Sequence, residues 1–155
     1  MITDNRLDEL KKIFVKHGVV LAYLFGSQAE GLARPSSDVD IAVLLPADFP
    51  RVKYFSARLA LINDLTQTLR RNDVDVIILN EATALLAREI VRHGKILYED
   101  EATRPAIDFA VRAISYYLDT EHFRKLALHY LSEDMERYRL KRQSTILREK
   151  KNDQA

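Results

Sequence analysis

The sequence predicts an α/β core followed by a helical C-terminal extension. Three observations carry this reading. Strand-like runs are confined to the first hundred residues, where they alternate with segments of helical period. Beyond Pro105 the pattern is helical to the end. The chain has 155 residues, 47% hydrophobic and 30% charged, an ordinary globular balance at a length that argues for one domain. The expected division is a core over residues 1–100 and a helical extension over 101–155 in the same compact unit, its basic end a candidate for disorder.

From Asp4 to His17, Leu7, Leu10, Ile13 and Phe14 recur at helical spacing, with Thr3 or Asp4 as the cap. Gly18 follows where a left-handed residue closes a helix. Val19 to Phe25 is an unbroken apolar run ended by Gly26, which predicts a buried strand. Ser27 to Ala33 has room for a helical turn or two. Val39 to Leu45 predicts a second strand, stopped by Pro46 and Pro50. A long helix follows over Arg51 to Arg70, with Phe55, Leu59, Ile62, Leu65 and Leu69 as its apolar face. Val74 to Leu79 is a third strand, Ala82 to His93 a helix closed by Gly94, and Lys95 to Tyr98 a short fourth strand. After Pro105, one helix is expected to pack inward through Ile107, Val111, Ile114 and Leu118. The next carries Phe123, Leu126, Leu128, Tyr130, Leu131, Met135 and Tyr138 on more than one narrow stripe, which points to a partner-docking surface over residues 121–150.

Composition excludes several function classes. With 24 Lys plus Arg against 23 Asp plus Glu, the net charge is +1, far from the basic excess of a protein that coats duplex DNA. The absence of cysteine excludes disulfides, thiol catalysis and cysteine-bound zinc. The longest apolar run, Val19 to Phe25, is far short of the roughly 20 residues of a membrane span. The acidic and basic N-terminus lacks the pattern of a signal peptide, so the expected location is the cytoplasm.

The segment from Gly26 to Asp40 carries the chemistry. Asp38 and Asp40 lie two apart at a strand start, so their side chains share a face, while Val39, Ile41 and Val43 take the other. Two carboxylates about 7 Å apart repel by roughly 2 kcal/mol at an effective dielectric of 20. Stability explains such a pair poorly, and a divalent cation removes the conflict. Mg²⁺ takes oxygen ligands, often one or two carboxylates plus substrate phosphates. Asp73 and Asp75 form a second same-face pair. Asp75 lies deeper in its apolar run and is the better third ligand, with Asp73 the alternative. Gly26 and Ser27 end the first strand, where a glycine lets backbone N–H groups approach an anion and the hydroxyl adds a donor. Phosphate donors facing a cluster of acids suit in-line transfer at phosphorus.

Gly26-Ser27, ten further residues, Asp38-Val39-Asp40 and the later Asp75 resemble the signature of the polymerase β-like nucleotidyltransferase superfamily, with Ala29, Gly31, Ser37 and Ile41 also matching. The resemblance covers about residues 5 to 98. It implies a small mixed sheet flanked by helices, with Asp38, Asp40 and Asp75 as catalytic metal ligands and Gly26 and Ser27 on the nucleotide. It also implies Mg²⁺, two ions in this superfamily, and ATP as donor. The short length resembles the minimal nucleotidyltransferase antitoxins of HEPN toxin–antitoxin pairs. Those antitoxins transfer AMP from ATP to a tyrosine of the RNase toxin and silence it, in a hetero-oligomer with that toxin. Two alternatives are an antitoxin acting by binding alone, and a small-molecule transferase of the aminoglycoside type, which carries a larger second domain. The position after Ala29, often Arg in the family, is Glu30 here, with Arg34 as another source of positive charge.

Other polar residues read as structural. His17 and His93 precede glycines at helix ends, where a partial positive charge suits the dipole. His122 and His129 lie seven apart without a nearby acid or third histidine, so none of the four suggests a metal site. The basic stretch from Arg137 to Lys151 reads as a solvated helix end, the alternative being a docking surface for an acidic partner or RNA.

Overall fold

The computed structural model describes residues 4–29, 31 and 37–152, with side chains from Arg6 to Arg142 over the same stretches. Thr3, named above as a cap, Glu30, the departure from the family pattern, and Arg34, the other source of positive charge, lie outside the described residues. The elements run α1 (Asp4–Lys16), β1 (Leu21–Phe25), β2 (Val39–Leu44), α2 (Tyr54–Leu69), β3 (Val74–Ile78), α3 (Ala84–His93), β4 (Lys95–Glu99), α4 (Ala106–Asp119) and α5 (Glu121–Asn152). Among the described residues, no helix is long and apolar enough to cross a membrane.

The strands form one mixed sheet in the order β3-β2-β1-β4. β1 pairs antiparallel with β2 and with β4, whereas β2 and β3 are parallel. A parallel pair needs a long crossover, and α2 supplies it. Both sheet faces are covered, which is why the strands read as continuous apolar runs. Val39, Ile41 and Val43 of β2 join Val74, Val76 and Ile78 of β3 in a core with Leu10 and Phe14 of α1 and Leu61 and Leu65 of α2. Leu21 and Tyr23 of β1 and Ala42 and Leu44 of β2 face the opposite way, toward Ala87 and Ile90 of α3 and Phe109 and Ala113 of α4. At the leading ends of β2 and β3 acids replace these apolar side chains.

Two helices present a different face from the expected one. In α2 the buried stripe is Tyr54, Leu61, Leu65 and Leu69, while Phe55 is 72% exposed and Leu59 51%. Apolar residues cover a wide arc of this helix, and packing keeps Leu65 and Leu69 of the expected face, with Ile62 at its margin, while Tyr54 and Leu61 replace Phe55 and Leu59. In α4, Phe109 and Ala113 are buried and Ile107, Val111, Ile114 and Leu118 are exposed. The Phe109 ring lies 6.4 Å from that of Tyr23, and Ala113 lets the helix approach the sheet closely. An aromatic and an alanine therefore outcompete a regular aliphatic stripe.

The chain divides into two compact units, Met1–Tyr117 and Leu118–Ala155. In the second, Phe123, Leu128, Leu131, Met135 and Tyr138 of α5 are all exposed.

One polar clamp ties α1 to α2. Lys16 Nζ donates to Asp64 Oδ2 at 2.7 Å, and His17 Nε2 meets the same oxygen at 2.8 Å. The Lys16 and His17 hydrogen bonds hold the Asp64 carboxyl down at about 2 from its ordinary 3.8. A depressed carboxylate stabilises the fold above its unfolded pKa, and that contribution is lost as pH falls through the folded value. The Asp64→Asn variant should therefore melt below wild type at neutral pH, with the gap closing as pH falls from 3.8 toward 2. A gap of constant size across a pH series of melting curves would contradict the clamp.

Candidate active site

The alternation of β2 that sends Val39, Ile41 and Val43 into one core turns Asp40 to the other face. In the sheet register Asp40 is flanked by Phe25 of β1 on one side and Asp75 of β3 on the other. Neighbouring strands lie about 4.8 Å apart, so two acids are adjacent across the parallel pair. Asp38 stands exposed just ahead of β2. Burial pushes the Asp40 carboxyl up, and the Asp38 and Asp75 carboxylates push it further. The three acids thus share one field.

Asp73 is engaged elsewhere. Arg71 Nε donates to its Oδ1 at 2.8 Å and Nη2 to its Oδ2, and the Arg71 hydrogen bond holds this carboxyl below the usual range. Arg71 Nη2 also donates to the Ser37 carbonyl at 2.7 Å, and the Val39 N–H donates to the Asp73 carbonyl at 2.8 Å. Arg71 thereby staples the segment bearing Asp38 to the start of β3. The spacing alone did not single out this residue.

Gly26 ends β1 in the left-handed region, at φ +69°, and opens a 3-10 turn through Gln28. A Cβ there would overlap Asp40 Oδ2 and lie 3.3 Å from its Cγ. The Asp40 carboxyl therefore rests on the Gly26 backbone, which joins the Gly26-Ser27 turn to the acids. Ser27 is half-buried in that turn, and Gln28 Nε2 donates to the Ser37 carbonyl at 3.3 Å. The structure thus brings Gly26, Asp38, Asp40 and Asp75 to one end of the sheet, with Ser27 next in the chain.

A second residue emerges only from the structure. Arg58 Nη2 of α2 donates to Asp75 Oδ1 at 2.8 Å, and the Val76 N–H donates to the same oxygen at 2.8 Å. Arg58 Nε is buried without a hydrogen-bond partner among the described residues. An exposed ion pair contributes about 0–1 kcal/mol, whereas a buried donor left unpaired costs on the order of 1–3 kcal/mol. Stability alone does not account for this placement. The sequence signal exists: Arg58 falls four residues after Tyr54 and three before Leu61, a charge inside the true buried stripe. The expected stripe through Phe55 and Leu59 hides it.

The donor set fits a hard divalent cation, being carboxylate oxygen alone with mutually repelling charges that a cation offsets. Among the described residues no three His, Cys, Asp or Glu side chains stand close enough to cage an ion by themselves. Mg²⁺ characteristically completes such a set with water and substrate phosphates. Three of the four histidines face an acid: His17 meets Asp64, His93 lies 3.6 Å from Glu89, and His129 lies 3.4 Å from Glu133, one turn on, which corrects the expectation that no acid is near it.

Comparison with known proteins agrees with this geometry. Protein adenylyltransferase MntA of Shewanella oneidensis is 36% identical over 97 residues, which is 63% of this chain and 65% of that relative's length. A chain of a toxin–antitoxin crystal structure with AMP-PNP superposes with a TM-score of 0.68 at 29% identity, covering 81% of this chain and 98% of that one. A chain from the complex of tri-AMPylated Shewanella oneidensis HEPN toxin with MNT antitoxin gives 0.63 at 27% identity, over 83% and 97%. The family profile described as "Polymerase beta, Nucleotidyltransferase" matches residues 8–103, from α1 past β4 and including every acid of the cluster. With more than half of its length accounted for, the chain belongs to the polymerase beta nucleotidyltransferase family.

Proposed function

We propose that this protein is a Mg²⁺-dependent antitoxin that transfers AMP from ATP to a tyrosine of a HEPN-domain RNase toxin, in a cytoplasmic complex with that toxin. The observation that carries the reading is the register match of Asp40 with Asp75, beside Asp38 and against Gly26. The relatives' AMP-PNP and tri-AMPylated toxin complexes support the donor and the acceptor. The intact acid cluster favours catalysis over neutralisation by binding alone. Residues 1–100 form the transferase domain in this reading, and residues 121–150 carry the docking surface for the partner.

Asp38, Asp40 and Asp75 would hold the metal, and Gly26 and Ser27 would receive the phosphates through backbone N–H and hydroxyl donors. Mg²⁺ held by these acids, two ions in this reading, would supply charge neutralisation at the transferring phosphorus. The tyrosyl oxygen forms a bond to the α-phosphorus of ATP as the bond to the pyrophosphate oxygen breaks. Asp75 takes the hydroxyl proton and orients the nucleophile.

Incubation with ATP labelled at the α-phosphate, Mg²⁺, the partner toxin and an aminoglycoside in one mixture tests the acceptor. Label is expected on a toxin tyrosine and on no small molecule. Label on the aminoglycoside, or none on the toxin, would contradict the proposal.

A further inference from the structure

Arg58 falls between Tyr54 and Leu61 of the buried stripe of α2, and its partly exposed guanidinium reaches the acid cluster. It takes Asp75 Oδ1 together with the Val76 N–H, while Asp75 Oδ2 has no partner among the described residues. One oxygen of the carboxylate is fully engaged and the other is open. Arg58 Nε is buried without a hydrogen-bond partner among the described residues, so Nη2 carries the contact with the acid cluster. The charge it brings pairs with an acid that repels Asp40.

We infer that Arg58 is a positioning residue of the transferase site, which by occupying Oδ1 fixes the Asp75 carboxylate so that Oδ2 alone is offered to the reaction. The inference rests on the proposed reading of the acids as a metal–nucleotide site. Groups that orient a ligating carboxylate act through it, and their loss characteristically costs 10- to 100-fold without removing the site. Lysine keeps the charge of Arg58 but loses the planar fork and its reach, which separates orientation from charge.

The full-length chain should be compared as wild type, Arg58→Lys, Arg58→Met and Asp40→Asn. AMP transfer to the partner toxin gives kcat and KM for ATP, and electron paramagnetic resonance gives Mn²⁺ binding without nucleotide. The expected result is a kcat lowered roughly 10-fold in Arg58→Lys and roughly 100-fold in Arg58→Met, with KM for ATP within about twofold of wild type. Mn²⁺ affinity in Arg58→Met should stay within about threefold of wild type or tighten, because a neighbouring positive charge is gone. A wild-type kcat in Arg58→Met, a loss confined to KM, or loss of Mn²⁺ binding along with kcat would each overturn the inference. The Asp40→Asn arm separates the two levels of argument. Wild-type Mn²⁺ binding and transfer in that variant would overturn the metal-site reading itself, whereas their loss beside an undiminished Arg58→Met would overturn the role of Arg58 alone.

Discussion

Asp40→Asn is expected to lower AMP transfer by roughly 10³-fold or more while raising the melting temperature of the metal-free protein. Both effects come from one position. Asp40 is the most enclosed of the three acids, and burial together with Asp38 and Asp75 pushes its carboxyl up. A carboxyl raised in the folded state binds its proton more tightly there than in the unfolded chain, so its ionisation opposes folding. The penalty is absent below the unfolded pKa and grows as pH rises through the elevated folded value. The stability advantage of the variant should accordingly be greatest at neutral pH and vanish in acid. A gain of about 2–4 °C at neutral pH corresponds to roughly 1 kcal/mol in a domain of this size. Mg²⁺ with ATP should raise the melting temperature of wild type more than that of the variant, by linkage to binding. Thermal scans with and without ligand, beside a transfer assay, check both halves. Equal ligand shifts would remove Asp40 from the metal site.

Gly26→Ala should lower transfer roughly 100-fold, because the new methyl group occupies the place of the Asp40 carboxyl. The substitution also forces an alanine into φ +69°, at a cost of about 1–2 kcal/mol. Gly18→Ala provides the control: its φ is +66°, but a Cβ there meets nothing within 4 Å. The two variants should lose similar stability from the backbone, and only Gly26→Ala should lose activity. Comparable transfer rates in the two would show that Asp40 tolerates displacement.

Much of this site is legible in the sequence because strands are simple readers of pattern. Asp38-Val39-Asp40 and Asp73-Val74-Asp75 are the same triplet at the head of two apolar runs, and the parallel register aligns Val39 with Val74 and Asp40 with Asp75. A period of two fixes which side chains share a face, so the acid cluster follows once the strands do. Choosing Asp75 over Asp73 was harder, since both lie on one face. In the structure both are paired, Asp73 with Arg71 and Asp75 with Arg58, and it is Asp75 that stands in register with Asp40. Helix rotation was the part the pattern could not determine. α2 and α4 carry apolar residues on more than one side, and the sheet selects among them by fit. Taking Phe55 and Leu59 as the inward face of α2 placed Arg58 on the solvent side, and the contact with Asp75 was lost with it. The exposed stripe of Ile107, Val111 and Ile114 is the same ambiguity resolved in α4.

The central claim is that neutralisation is covalent, performed by Asp38, Asp40 and Asp75, and it is tested most directly by the persistence of toxin silencing. The HEPN toxin partner is incubated with this protein, ATP and Mg²⁺, the antitoxin is stripped away, and RNase activity of the toxin is measured. Toxin treated with wild type should remain silent, and toxin treated with Asp40→Asn should recover its activity in full. Recovery of RNase activity after treatment with wild type would mean that the protein acts by binding alone, and would contradict the account.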